Sequence, residues 1–193
     1  VGLAEKYLIS QNAWKIEKPL GNITSKSIRN EIAQLRRSVS SVIGSPVLLN
    51  LTNSKRGIDF SNRDDVEDIA TRGPVTPDHV IRTKRIPMIG RDVDHYVKEY
   101  VSYFNTYEPN AKERKSMLDA APRVILDQDF GLCAVGKNMS EIGIIADLYE
   151  HTMQCILKAE NLGGWQALPA SDIFDLEYWN LEQAKLQKSG NAP

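Results

Sequence analysis

The run Thr76-Pro77-Asp78-His79-Val80-Ile81-Arg82-Thr83-Lys84-Arg85 carries the densest set of side chains able to do chemistry. A histidine next to an aspartate on a proline-constrained turn, with three cations just downstream, suits capture of a phosphate or another anion. Guanidinium and ammonium donors make charge-assisted hydrogen bonds to oxyanions, and imidazole can bind or relay protons. His79, Arg82, Lys84 and Arg85 are therefore the candidate substrate- or anion-binding residues. A purely structural turn is the competing reading. A metal centre needs more ligands than this segment supplies. His95 and His151 stand in amphipathic helical stretches, and no metal ligand is assigned.

Other motifs are absent or weak. No Gly-rich phosphate cradle occurs, since Gly131-Leu132-Cys133-Ala134-Val135-Gly136 lacks the dinucleotide spacing. No G-x-S-x-G nucleophile elbow is found either. Asp127 and Asp129 flank a turn and could pair as acid and base, although turn carboxylates more often cap backbone amides. Cys133 and Cys155 sit among apolar neighbours without C-x-x-C spacing. Buried reduced thiols in a reducing compartment fit best, with one disulfide between them left open. No catalytic residue is assigned.

The elements that must position these groups follow from periodicity. Leu3, Tyr7 and Leu8 open the chain at helical spacing, and 12–24, with Pro19 and Gly21, read as loop. Ser27 is a cap for a helix to Ile43 that buries Ile28, Ile32, Leu35, Val39 and Val42 and stops at Gly44. Val47 to Leu51 is an apolar run of strand length. Ser61 or Asn62 is read as the cap of a short helix through Ile69, Val80-Ile81 as a short strand, and Asp92 to Phe104 as a helix. Its inner face is expected to be Val93, Val97, Tyr100, Val101 and Phe104.

The clearest stretch comes next. Arg123 to Leu126 and Leu132 to Val135 are strands joined by the Asp127–Gly131 turn. Asn138 and Glu141 then form a capping arrangement for a helix to about Asn161. Asp172 to Leu186 is helical in pattern, and 188–193 reads as a trailer. These elements predict an α/β fold, a small sheet of about three to five strands with packed helices. The boundaries expected are 1–24 as the end of a preceding domain or a connector, 25–170 as the α/β domain and 171–193 as a helical connector.

Bulk properties bound the function. The 193 residues are 41% hydrophobic and 25% charged, enough to bury one domain core. A net charge of -1 draws the chain to neither nucleic acid nor an anionic membrane. No apolar run approaches a membrane span. A cytoplasmic location is expected.

Three separated motifs carry a family resemblance. They are Arg72-Gly73-Pro74-Val75 running on through Arg85, then Ala167-Leu168-Pro169 with Phe174-Asp175-Leu176-Glu177-Tyr178-Trp179, then Leu181 to Leu186. In this order they resemble the middle region of bifunctional proteins in which a class II aldolase/adducin domain precedes a short-chain dehydrogenase domain. Some members are described as rhamnulose-1-phosphate aldolase/alcohol dehydrogenases. The resemblance implies carbohydrate metabolism, with zinc and NAD(P) serving the parent protein and no cofactor in this part. It also implies flanking aldolase and dehydrogenase domains as partners, with homo-oligomer assembly a further expectation.

Val124 to Ile156 is similar to the last strand-turn-strand-helix of a class II aldolase, where a His-Gly turn supplies a metal ligand. Phe130-Gly131 occupies that turn here, and phenylalanine has no lone pair to offer. The leading expectation is a metal-free, non-catalytic linking domain. One alternative is a metal-dependent half-site using His79, His95 or His151. The other is an assembly domain whose aromatic tail, Phe174, Tyr178 and Trp179, packs on another subunit or closes this domain's own core.

Overall fold

The computed structural model describes residues 2–15, 28–52 and 54–189. Its elements in chain order are α1 (Gly2–Ser10), α2 (Arg29–Ile43), β1 (Leu48–Thr52), α3 (Lys55–Ser61), α4 (Val66–Ala70), α5 (Val80–Thr83) and β2 (Met88–Ile89). They continue with α6 (Val93–Tyr107), β3 (Val124–Asp127), β4 (Gly131–Gly136), α7 (Met139–Glu160), α8 (Ala170–Glu177) and α9 (Asn180–Ser189). The strands form one mixed sheet in the order β1-β4-β3-β2. β4 is antiparallel to both β1 and β3, and β2 runs parallel to β3 at the edge. The α/β expectation and its strand number hold.

Two-residue periodicity explains the layers. Val124, Leu126, Leu132 and Ala134 point to one face, where α7 buries Ile142, Ile145, Tyr149, Met153 and Ile156. Ile125, Cys133 and Val135 point to the other, under Leu35 and Val39 of α2 and Tyr96 of α6. Side chains of a strand alternate between faces, so a strand covered on both sides reads as a continuous apolar run. That is why the hairpin stood out in sequence. A third cluster joins Tyr100 and Tyr103 of α6 to Phe174 and Tyr178.

Capping at the long helix follows its sequence signature. Asn138 Oδ1 accepts from the Glu141 N–H at 2.9 Å, and Glu141 Oε2 accepts from the Lys137 N–H at 2.7 Å. Gly44 ends α2 at φ 76°, in the left-handed region. The expected Ser27 cap, most of the 12–24 loop and the end of the trailer lie outside the described residues.

Several expectations need correction. Val80-Ile81 belongs to the helical turn α5, not to a strand. Pro77 opens a preceding 3-10 turn (Pro77–His79) with helical φ already set, and the chain carries on coiling despite two β-branched residues. Ser61 and Asn62 finish a helix rather than start one. Ser54 is the cap, its Oγ accepting from the Gly57 N–H at 3.0 Å, and α4 follows separately. Gly57 had hidden α3, because glycine in a helix argues against helix. The edge strand β2 was too short to see. In α6 the buried face carries Tyr96 and Tyr103 as well as Val93 and Tyr100, with Val101 only partly covered. The C-terminal helix is two helices, broken at Tyr178-Trp179.

The β3–β4 turn is the tightest point. Gly131 has φ 71°, and a Cβ there would stand 2.8 Å from Ile58 N and 2.9 Å from Gly57 C. A Cβ at Gly44 would meet nothing within 4 Å. Gly131→Ala should therefore cost about 2–3 kcal/mol and Gly44→Ala only about 1, as left-handed backbone alone costs roughly 1–2. Urea unfolding midpoints of the two variants measure the difference, which is the cost of the close approach.

Candidate functional site

The four candidate anion-binding residues do not converge on one pocket. They ride on the 3-10 turn, α5 and the bend after it, where each successive side chain leaves in a new direction. His79 is half-buried, and its Nδ1 has no partner among the described residues. Burial, helped by the nearby His151, holds its pKa below the ordinary value. Arg82 is half-buried. Arg85 lays its guanidinium over the Tyr103 ring, 5.0 Å from the centroid.

Lys84 turns inward. Its side chain is only 6% exposed, and its Nζ donates to the Asp119 carbonyl at 2.8 Å. The same ammonium lies 3.6 Å from Glu177 Oε1 and 4.1 Å from the Tyr100 ring centroid. The Tyr100 hydroxyl donates to Glu177 Oε1 at 2.9 Å and shares a 2.8 Å hydrogen bond with the Tyr178 hydroxyl. That hydroxyl in turn accepts from the Leu118 N–H at 3.3 Å. A chain of polar groups thus crosses the third core cluster from α5 to α6 to α8.

Burial dominates the titration of this chain. It pushes Lys84 down to about 8 in spite of Glu177, and it pushes Glu177 up in spite of Lys84. Removing two charges from water costs more here than their attraction returns. Tyr100 and Tyr178 were expected only as packing residues, and Glu177 was given no role. An acid inside the apolar stripe of α8, with Ile173 and Phe174, was the available signal.

The remaining candidates serve structure. Arg91 clamps Asp127 with two bonds of 2.7 and 2.8 Å and also meets Asp129. Asp127 further accepts from the Asp129 N–H, so the pair caps the turn. His95 is exposed, 3.7 Å from Glu99. The His151 Nε2 lies 3.4 Å from Cys155 Sγ. Both contacts are i, i+4 neighbours that spacing alone could have flagged. Both cysteines are free, but Cys155 is half-buried rather than buried.

Phe130, in the turn between β3 and β4, is 4% exposed and packs into the α2/α6 side of the core. Arg91 lies over its ring at 5.2 Å. Among the described residues no three His, Cys, Asp or Glu side chains come together as a metal-binding group. This donor set does not fit zinc, which takes at least three protein ligands.

Residues 26–186 match the family described as aldolase class II, second domain. The chain belongs to that family. A Bacillus subtilis (strain 168) protein named uncharacterized oxidoreductase YuxG is 27% identical over 146 residues, 67% of this chain and 21% of that protein. The chain thus spans about a fifth of the relative's length. No solved structure matches. Among the described residues of this family member, no helix is long and apolar enough to cross a membrane.

The Lys84 shift sets a pH dependence. Between about 8 and the ordinary 10.5, the unfolded chain keeps a proton that the folded chain has lost. Stability should therefore rise with pH across that window, by on the order of 2–3 kcal/mol. Lys84→Met should flatten the rise, and thermal midpoints at half-unit pH steps measure both.

Proposed function

We propose that this chain is a metal-free, aldolase-like connecting domain of a bifunctional enzyme of carbohydrate metabolism. Its neighbours would be a class II aldolase domain, holding zinc, and a short-chain dehydrogenase domain using NAD(P). Phe130 carries the reading. It stands in the turn where the aldolase resemblance calls for a metal-binding histidine, and it packs into the core. The scaffold is kept while the ligand is replaced by an apolar side chain, and fold and function part in this way when a site is lost. The relative's name, an oxidoreductase, and its greater length support a parent with further domains. The cytoplasm is the proposed compartment.

A second reading, self-assembly, is favoured by Trp179 and Leu181, which stay 48% and 63% exposed where α8 meets α9. Phe174 and Tyr178 close the domain's own core instead. Light scattering at rising concentration separates the two, since a pure connector stays monomeric.

Purified chain exposed to zinc and desalted should retain only substoichiometric metal and should not cleave a ketose phosphate. Phe130→His should not restore zinc, because one imidazole is too few ligands. Capture from the source cell should yield a polypeptide several times the mass of this 193-residue chain. Stoichiometric zinc together with cleavage would overturn the proposal.

A further inference from the structure

The sheet has two edges, and they are built differently. β2 is two residues long, follows Pro87 and lies between Arg85 and Arg91. Short length, proline and flanking charge are devices that keep an edge from pairing with another chain. β1 has none of them. Leu48–Thr52 is five residues without proline or charge, and β4 pairs with it on one side. All five residues are partly exposed, with no alternation. Neighbouring side chains of a strand point to opposite faces, so an uncovered face would expose every second residue. Uniform partial exposure means that water reaches β1 along its edge.

The backbone groups of that edge point outward in a fixed pattern. Val135 donates its N–H to the Arg123 carbonyl at 2.9 Å, so Gly131, Cys133 and Val135 of β4 face β3. Leu132, Ala134 and Gly136 are then the residues that face β1, opposite Thr52, Asn50 and Leu48. Antiparallel pairs alternate in this way, which turns the N–H and C=O of Leu49 and Leu51 outward. Val47, the outward residue before them, is already satisfied. Its N–H donates to Ser40 Oγ at 3.3 Å, and its carbonyl accepts from Arg36 Nε at 2.7 Å. Among the described residues no strand lies beyond Leu49 and Leu51.

We propose that β1 pairs antiparallel with β1 of a second copy of this chain, joining the two sheets edge to edge. The run Leu48-Leu49-Asn50-Leu51-Thr52 is self-complementary about Asn50. A two-fold axis there sets Leu49 opposite Leu51 of the second copy, so the outward backbone groups exchange hydrogen bonds on both sides of the axis. A register centred on Leu49 would set Leu51 against Val47, whose groups α2 already holds. One centred on Leu51 would set Leu49 beyond the end of β1. On the α2 face, Leu49 and Leu51 are half-buried against the second core cluster and meet each other across the axis. On the α7 face, which Leu48 shares, Asn50 meets Asn50, and each amide offers the other a donor and an acceptor. No like charges oppose each other within the pairing. The inference adds to the connecting role a self-association seated on the sheet edge rather than where α8 meets α9. The domain then both connects and pairs.

Disulfide cross-linking of Asn50→Cys, in a Cys155→Ser background, tests the register. The Cα atoms of the opposed residues at the axis stand about 4.5 Å apart, within disulfide reach. Leu49→Cys would place its two thiols on diagonal positions, roughly 7–8 Å apart, which is too far. On mild oxidation Asn50→Cys should form the linked dimer at least about tenfold faster than Leu49→Cys in the same background. Sedimentation of the wild-type chain should show its mass doubling toward about 1 mM, because an interface this small is weak. Leu51→Lys should keep the chain monomeric, and Trp179→Ala should leave the dimer intact. A wild-type chain that stays monomeric, equal cross-linking rates, or a dimer that survives Leu51→Lys or dissolves with Trp179→Ala would each overturn the proposal. The wild-type measurement stands even if a variant fails to fold. Zinc retention and ketose phosphate cleavage do not bear on the pairing, so either reading can fail alone.

Discussion

Burial of the β3–β4 hairpin on both faces is the constraint from which the rest of the architecture follows. All of Val124–Asp127 and Gly131–Gly136 lies buried. No backbone group of such a hairpin can be left to water, so β4 must pair on both edges, with β1 and β3. Helices must then cover both faces. The turn that reverses the hairpin is pressed against α3, where only a glycine fits at 131. Arg91 pins the same turn through Asp127 and Asp129, which couples the edge strand β2 to the centre.

The C-terminal helices are secured by different physics. α8 contributes Phe174 and Tyr178 to an aromatic cluster with α6, in which Phe174 and Tyr178 stack at 4.5 Å and Tyr103 meets Phe174 edge-on. Such ring pairs add to simple area burial. Into this apolar cluster the fold inserts Glu177, Lys84 and three tyrosine hydroxyls. Their burial costs more than their attraction returns, as the opposed displacements of Lys84 and Glu177 show. Removing one partner alone would strand a charge, at about 3–5 kcal/mol. The pair therefore ties α5 to α8 firmly even while it is a poor net stabiliser.

Membership of the class II aldolase second-domain family accounts for the scaffold. The turn that ends β3 carries Phe130, and its ring supplies core volume between α2 and α6. An apolar residue in this turn stabilises the domain through core burial.

Much was legible without coordinates. The hairpin from Val124 to Val135 and the helix capped by Asn138 were visible because their signals are local: apolar runs of strand length, and a cap three residues from a glutamate. The α/β class and strand number followed. Short elements were not legible. β2 has two residues, too few for periodicity, and Gly57 masked α3. The charged segment at 79–85 was visible as a cluster in sequence but is dispersed in space. A four-residue helical turn fans its side chains around an axis, so Lys84 enters the core while Arg85 lies over Tyr103. Sequence by itself determined which residues are apolar, capped or turn-forming, since those preferences act within a few bonds. The pairing of Lys84 with Glu177, 93 residues apart, was decided only by the tertiary structure, because that packing brings the two charges together out of water.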